Sequence, residues 1–407
     1  MVDARDAGDA PQHPRLRPLE VRRHVEAGCP GVVVTDPLGL APGTCFIPET
    51  LLPIVGRFDG ERSVADVERE VRARGHAVPD GFVGDLVRQL DEALLLASPR
   101  AAAAERAACD AFLAGHDGAR PARHAGSAGY PSDAAALRAR LATMVPPPTA
   151  RDLPAPRGLV APHIDLQRGA AGYRAAYGHL GRSEPADLYV IFGTGHKGPA
   201  APVTGLALDW HTPLGRARTD RAFVAAVEAR LGPAHPRDAL LHRDEHSLEF
   251  QVLLLQHTLA GHDLTVAGFL CGELPAEDGD PSQEDYVIEL IDAFDAAADG
   301  RRVCYVAGAD LAHRGPFFGA DPAVDHDALR RLAHDDRARL QHLTQGDAGA
   351  FHRSVVADGN SDRVCGATPM FLCAALAKGP GELLHYGQAA APDGTQVVSF
   401  CSMVFAS

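Results

Sequence analysis

Three predicted strands of the chain are each followed closely by a histidine. The pairs of strand and histidine are 158–161 with His163, 188–192 with His196, and 303–307 with His313. In open α/β sheets, ligands bind beyond the carboxyl ends of the strands. A single histidine there is more often a hydrogen-bonded loop residue, but three at equivalent positions indicate one shared site.

Two carboxylates accompany these histidines and are candidates for acid–base work. Asp310 lies three residues before His313, and on one helical turn the two side chains would face the same way. His246 and Glu249 are also three residues apart, at the start of a predicted helix. This second pair indicates either a solvated, well-capped helix N-terminus or a carboxylate–imidazole pair that faces the site. All four residues are retained as catalytic candidates.

Cys365 is the candidate sulfur ligand. It follows a polar turn and precedes a glycine, whereas Cys304 and Cys401 lie in apolar, strand-like runs. Two imidazoles and a thiolate are a suitable ligand set for iron, copper or zinc. A buried structural thiol is nevertheless the commoner state of any single cysteine, so both interpretations remain open.

The elements that must position these residues predict two domains. From about residue 151 to 407, strands alternate with helical stretches, which indicates an α/β sheet covered by helices. Residues 18–98 read as a strand, a turn and three short helices, a small winged-helix-like α+β domain. Residues 1–17 are polar and predict a disordered tail. Residues 99–150, rich in Ala, Arg and Pro, predict a helical and proline-rich linker.

Composition excludes several classes of function. The chain has 407 residues and a formal net charge of −14, which opposes binding to nucleic acid or to anionic membranes. Its eight cysteines form no C-x-x-C pair, which favours free thiols in a reducing cytosol over a disulfide framework. Neither a signal peptide nor a membrane span is expected, so a soluble, cytoplasmic protein is predicted.

Residues 18–98 resemble the peptide-binding proteins of the pyrroloquinoline quinone pathway type, also called RiPP recognition elements. The resemblance rests on residues 32–37, on residues 58–64 and on the closing helix over 86–96. It implies that a leader peptide binds along a strand edge and a helix. The alternative is an ordinary winged helix that packs on the second domain or mediates dimerisation.

The second half of the chain resembles the Memo family, whose bacterial members are often called AmmeMemoRadiSam system protein B. Five short signature segments occur in the family order, and they are residues 161–163, 193–196, 245–249, 309–313 and 364–366. The resemblance covers about residues 157–407. The family shares its fold with class III extradiol dioxygenases, which hold Fe(II) with two histidines and a carboxylate.

The resemblance implies a ligand set, because a cysteine takes the third position in the Memo family. The implied metal ligands are His163, His196 and Cys365. The implied acid–base or outer groups are His246, Asp310 and His313. Fe(II) is the leading cofactor, with copper and zinc as alternatives. One departure is that some relatives have two consecutive histidines in the second segment, whereas Lys197 follows His196 here.

Together these patterns predict a metal-dependent, dioxygenase-like oxidoreductase that acts on a ribosomal peptide or on a small electron-rich substrate. The implied partners are a peptide bound by residues 18–98 and a radical SAM protein. Two alternatives remain, a zinc hydrolase and a non-catalytic scaffold that binds copper or iron.

Overall fold

The computed structural model describes residues 10–127, 129–232, 236–319 and 322–406. The chain divides into two compact units, residues 1–112 and 113–407. Each unit has its own cluster of buried hydrophobic side chains. Among the described residues, no helix is both long and apolar enough to cross a membrane.

The first unit is a small α+β fold, as predicted. Its three strands form an antiparallel sheet in the order β1-β2-β3, and they are β1 (Glu20–Glu26), β2 (Cys29–Thr35) and β3 (Cys45–Pro48). Its helices are α1 (Leu52–Val55), α2 (Val64–Ala73), α3 (Phe82–Glu92) and α4 (Pro99–Ala114), the last of which crosses the division between the units. Ser63 and Asp66 form a reciprocal capping box at the start of α2, as their spacing predicts.

Residues 10–17 are ordered, although the sequence places them in a disordered tail. Leu16 forms a β-bridge with Leu96, and the Arg17 guanidinium lies 3.1 Å from the Asp36 carboxylate. Both charged side chains of this ion pair are buried. A polar segment is ordered here because it supplies the cation that a distant buried carboxylate requires, which local composition does not reveal. Residues 1–9 of the predicted tail lie outside the described residues.

The second unit is built on a mixed sheet of eleven strands. The strands are β4 (Ala119–Arg120), β5 (Gly158–Ala161), β6 (Leu188–Thr194), β7 (Val203–Gly205), β8 (Asp209–Thr212), β9 (Gly215–Thr219), β10 (Thr265–Cys271), β11 (Val303–Gly308), β12 (Asp310–Arg314), β13 (Gly381–Ala390) and β14 (Val397–Phe405). Their order is β12-β14-β5-β11-β6-β10-β9-β8-β4, with β13 paired to β14 and β7 to β10. The central strands β5, β11, β6 and β10 run parallel.

Helices cover this sheet, which confirms the predicted α/β class. They are α5 (Ala134–Met144), α6 (Ala170–Arg182), α7 (Arg221–Leu231), α8 (Pro236–Arg243), α9 (His246–Thr258), α10 (Asp285–Ala298), α11 (His326–Thr344), α12 (Ala348–Val356) and α13 (Ala367–Ala377). Every residue of β5, β6 and β11 is buried, and both α9 and α13 pack against β6 and β11. Continuous apolar strands of this kind need such a cover.

Two local expectations differ from the structure. Residues 119–150, within the predicted linker, contribute β4 and α5 to the second unit. Asp310 and His313 lie on the strand β12, not on a helical turn, so the argument from helical spacing is wrong for this pair. The backbone there pairs with β14, with a register shift between the two residues, and this tertiary partner outweighs the local pattern.

The substitution Asp36→Asn should destabilise the first unit locally, because it leaves the buried Arg17 guanidinium without a counter-charge. We expect a loss of about 3 kcal/mol, which corresponds to amide exchange in β2 and α2 that is about 100-fold faster. Hydrogen exchange followed by mass spectrometry measures this, with Asp80→Asn as control because the Asp80 side chain is fully exposed. Equal exchange rates in the two variants would contradict a stabilising role for the ion pair.

Candidate metal centre

The candidate site forms where three parallel strands end side by side. β5 and β6 both pair with β11, and the register places Ala161 and Gly193 on either side of Gly308. His163 follows Ala161 by two residues, and His196 follows Gly193 by three. The parallel register therefore delivers both imidazoles to one edge of the sheet.

Two glycines let the first turn of α9 approach this edge. A β-carbon at Gly193 would collide with the Ser247 hydroxyl, and one at Gly308 would collide with the Ser247 carbonyl oxygen. Because neither glycine has a β-carbon, the start of α9 lies directly against the strand ends. His246, the first residue of α9, thereby reaches the two imidazoles, and one nitrogen of each of the three rings lies within 4.8 Å of the others.

Cys365 joins this cluster from the loop before α13. Its Sγ lies 3.4 Å from Nε2 of His163 and 3.8 Å from the carbonyl oxygen of Asp310. Burial raises the pKa of the Cys365 thiol, but the imidazoles of His163 and His196 outweigh burial and lower this pKa to about 7. The thiolate, which is the form that binds metals, is therefore accessible near neutral pH.

Hydrogen bonds at Nδ1 fix the orientation of the first two imidazoles. Nδ1 of His163 donates to the carbonyl oxygen of Gly308 at 2.8 Å, since a carbonyl can only accept. Nδ1 of His196 lies 3.1 Å from both carboxylate oxygens of Glu245. In the neutral ring, Nε2 then carries the lone pair, which is the arrangement typical of histidines that bind metals.

Glu245 is a site residue for which the sequence analysis had no role. It precedes α9, where its carboxylate accepts a hydrogen bond from the backbone N–H of Ser247 at 2.9 Å. The same carboxylate lies 3.3 Å from Nδ1 of His246. Burial raises the pKa of Glu245, but the imidazoles of His196 and His246 outweigh burial and hold this pKa well below its usual range. The sequence signals were its position directly before His246 and its place in the signature segment 245–249.

The two imidazoles beside Glu245 differ in their electrostatics. Burial lowers the pKa of His196, but the carboxylate of Glu245 and the sulfur of Cys365 outweigh burial and hold it well above its usual range. Burial lowers the pKa of His246 to about 3, because the attraction of Glu245 is opposed by the other imidazoles. His246 is therefore a neutral ring with an available lone pair.

Asp310 lies beside the cluster, and His313 is held by carbonyl groups. The carboxylate of Asp310 accepts from the backbone N–H of His163 at 3.0 Å, and its other oxygen lies 3.6 Å from Nε2 of the same residue. Burial raises the pKa of Asp310 to about 6 despite its neighbouring imidazoles. Nδ1 of His313 lies 3.1 Å from the carbonyl oxygens of Leu311 and Arg363.

The contacts of Glu249 are with residues 120–130. Its fully buried carboxylate accepts from Arg120 at 2.5 Å, from the Tyr130 hydroxyl at 2.6 Å, and from the backbone N–H groups of Arg123 and His124 at 3.0 Å. Four donors from one segment leave this carboxylate bound to that segment and not to the imidazole cluster. Neither interpretation of the 246–249 pair anticipated this arrangement.

His124 is a further residue at the site that the sequence analysis missed. Its ring lies 5.7 Å from that of His246 and 5.9 Å from that of Phe250, centroid to centroid. Its Nε2 lies 3.1 Å from the carbonyl oxygen of Asp244. Because this residue falls in the predicted linker, only its tertiary contacts with residues of α9 could reveal it.

The fold and the site define a class, an α/β protein that gathers imidazoles and a thiol at the carboxyl ends of parallel strands. The family model described as Memo-like protein matches residues 120–404. The chain therefore belongs to the Memo-like family, and the resemblance seen in the sequence is confirmed. Family membership favours the extradiol dioxygenase-like fold that the sequence implied.

Three relatives illustrate the extent of the match. A MEMO1 family protein of Aquifex aeolicus is 26% identical over 378 residues, covering 92% of this chain and 95% of that protein. One of Thermus thermophilus is 27% identical over 316 residues, covering 71% and 82%. One of Methanococcoides burtonii is 33% identical over 169 residues, covering 42% of this chain and 59% of that protein. The Aquifex alignment is long enough to extend into the first unit, whose resemblance to peptide-binding modules stays a prediction.

The substitution Glu249→Gln should destabilise the second unit, because it leaves Arg120 buried without a counter-charge. We expect a loss of about 3–5 kcal/mol in the free energy of unfolding at neutral pH. Arg120 lies over the ring of Trp210, the only tryptophan, so urea unfolding followed by fluorescence measures the effect. Exposed Glu289, changed to Gln, is the control.

The difference in the free energy of unfolding between wild type and Glu249→Gln should depend on pH. Burial raises the pKa of Glu249, but Arg120 and the other donors outweigh burial and lower it. A carboxylate with a lowered folded-state pKa stabilises the protein above its unfolded pKa of about 4.3, and this stability is lost as the pH falls below that value. The difference between wild type and Glu249→Gln should therefore shrink in acid. A difference that grows instead would contradict the assignment.

Proposed function

We propose that this protein is a metal-dependent oxidoreductase of the extradiol dioxygenase-like class, with Fe(II) as its metal. The observation that carries the proposal is the cluster itself. Nitrogens of three imidazoles lie within 4.8 Å of one another, and a thiol lies 3.4 Å from one of these rings. Such a convergence of potential ligand atoms from separate segments is typical of a metal site.

The donor set fits a first-row transition metal. Imidazole nitrogen and thiolate sulfur are ligands of iron, copper and zinc, and the proposed ligands are His163, His196 and Cys365. The carbonyl and carboxylate partners at Nδ1 leave Nε2 of both histidines for the metal. A redox-active ion held by these residues would supply electron transfer between O₂ and a reduced organic substrate.

The surrounding residues supply orientation and proton handling. Asp310 is the carboxylate that can take up or return a proton, and the backbone N–H of His163 holds one of its oxygens in place. The carbonyl groups beside Nδ1 of His313 leave Nε2 of that ring for the same task. Burial of the strand ends limits the access of water to the reacting groups.

A peptide is proposed as the substrate or its carrier, bound by the first unit, with a radical SAM protein as partner. Within the described residues, β1 is an edge strand that pairs only with β2, and Val21 and Val25 on it are 59% and 62% exposed. A free strand edge with exposed apolar side chains supports the addition of a peptide strand.

Fluorescence anisotropy tests the peptide proposal by measuring the binding of labelled leader peptides. The peptides are those encoded by precursor genes near this gene. We expect Val21→Glu to weaken binding about 10-fold or more through the loss of apolar contact at the strand. Ile288→Glu, an exposed apolar position on α10, is the control. Unchanged binding by Val21→Glu would rule out this strand, and no binding by the wild type would rule out the proposal.

Metal analysis of the anaerobically purified chain tests the metal proposal. We expect about one iron per chain in the wild type, and at least a 10–100-fold weaker affinity in Cys365→Ala and His163→Ala, since each removes a ligand. Cys29→Ala is the matched control because Cys29 is an exposed thiol. Oxygen uptake with electron-rich substrates then tests the reaction. Metal retention in Cys365→Ala would refute the ligand assignment.

The thiol ligand also favours two alternatives, because sulfur suits zinc and Cu(I). A zinc hydrolase would contain stoichiometric zinc and turn over without O₂. A copper-binding scaffold would bind Cu(I) tightly without consuming O₂. The same metal analysis and oxygen measurement separate these two from the iron oxidoreductase.

A further inference from the structure

The three clustered imidazoles have a definite mutual arrangement. The rings of His196 and His246 are nearly parallel, at 4.9 Å between centroids and an interplanar angle of 18°. The ring of His163 is roughly perpendicular to both, at 5.0 and 5.3 Å. His246, assigned above to acid–base work, is thus as close to the other two rings as they are to each other.

One carboxylate lies beside the parallel pair. Oxygens of Glu245 are 3.1 Å from Nδ1 of His196 and 3.3 Å from Nδ1 of His246. Since both rings meet this carboxylate through Nδ1, the opposite nitrogen, Nε2, of each ring lies away from Glu245. A carboxylate only accepts hydrogen bonds, so Nδ1 is the N–H nitrogen of His196, and the loss of its second proton leaves the lone pair on Nε2. The contact of the same carboxylate with Nδ1 of His246 is electrostatic.

The position of Glu245 is itself fixed by buried contacts. The Arg120 guanidinium donates to the carbonyl oxygens of His242 at 2.6 Å and Glu245 at 2.8 Å. The Glu245 carboxylate also receives the backbone N–H of Ser247. The N-terminal end of α9 also favours a carboxylate. These contacts hold the side chain beside Nδ1 of both rings.

We infer that His246 is a further metal ligand and that Glu245 is the positioning residue that presents His196 and His246 together. The inference rests on the proposed function, in that the cluster holds a metal. It replaces a ligand set of two imidazoles and a thiolate with one of three imidazoles and a thiolate. It also makes the carboxylate of Glu245 the common partner of His196 and His246, so that loss of its charge affects both imidazoles.

A purely structural role for Glu245, as a helix cap, predicts a different outcome. Glu245→Gln keeps the length of the side chain and one oxygen that can accept from the N–H of Ser247. Its amide N–H₂ group cannot accept from Nδ1, so at least one imidazole loses its partner. A cap alone predicts unchanged metal affinity, whereas a positioning residue predicts an affinity that is about 10–100-fold weaker.

Titration of the full-length, metal-free chain with Co²⁺, against a competing chelator, is the experiment. We expect Glu245→Gln and His246→Ala each to weaken Co²⁺ binding about 10–100-fold and to change the visible absorption bands. The double variant should lose less than the product of the two single losses, because both act on one ligand. Glu289→Gln, on the surface of α10, is the control.

Proton NMR of the metal-free protein gives a readout that a cap would not affect. A downfield imidazole N–H resonance, assigned to Nδ1 of His196, should be present in the wild type and altered in Glu245→Gln. If that variant fails to fold, as judged by Trp210 fluorescence, Glu245→Asp retains the charge and should show a smaller loss of Co²⁺ affinity.

The outcomes separate the two proposals. No Co²⁺ or iron binding by the wild type would refute the proposed function. Wild-type binding with full affinity in Glu245→Gln would refute only the positioning role. Full affinity and unchanged bands in His246→Ala would show that His246 is not a ligand.

Discussion

The site depends on the parallel register of three strands. β11 aligns Gly308 with Ala161 on one side and with Gly193 on the other, so three chain segments leave the sheet at the same level. Each segment then needs only two or three further residues to bring His163, His196 or Asp310 to that edge. A slip of the register would separate these groups, because the strands would no longer end together.

Charges buried beside the site form a second layer of organisation. Arg120 binds the carboxylate of Glu249 and the carbonyl oxygen of Glu245, so one guanidinium joins residues 119–130 to the start of α9. Buried charges are tolerated only when each is paired and hydrogen-bonded. These residues consequently act as a unit, and the segment predicted to be a linker is a structural part of the candidate site.

The local sequence predicted some parts of this site and misled on others. Short apolar runs followed by histidines indicated the strand ends correctly, since a buried parallel strand has a strong local signature. The spacing of Asp310 and His313 suggested a helical turn, but both residues lie on a strand that pairs with β14. Glu249 was predicted to be a site residue. The structure shows instead that its carboxylate accepts hydrogen bonds from Arg120, His124 and Tyr130.

The sequence by itself determined the α/β class and the family, because strand hydrophobicity and short motifs are local properties. Tertiary structure alone decided that Glu245 contacts two imidazoles, that His124 lies beside one of them, and that residues 10–17 are ordered. These features depend on groups far apart in the chain that neutralise or hydrogen-bond one another. Local composition carries no record of such partners, since the free energy that selects them arises only when the chain is folded.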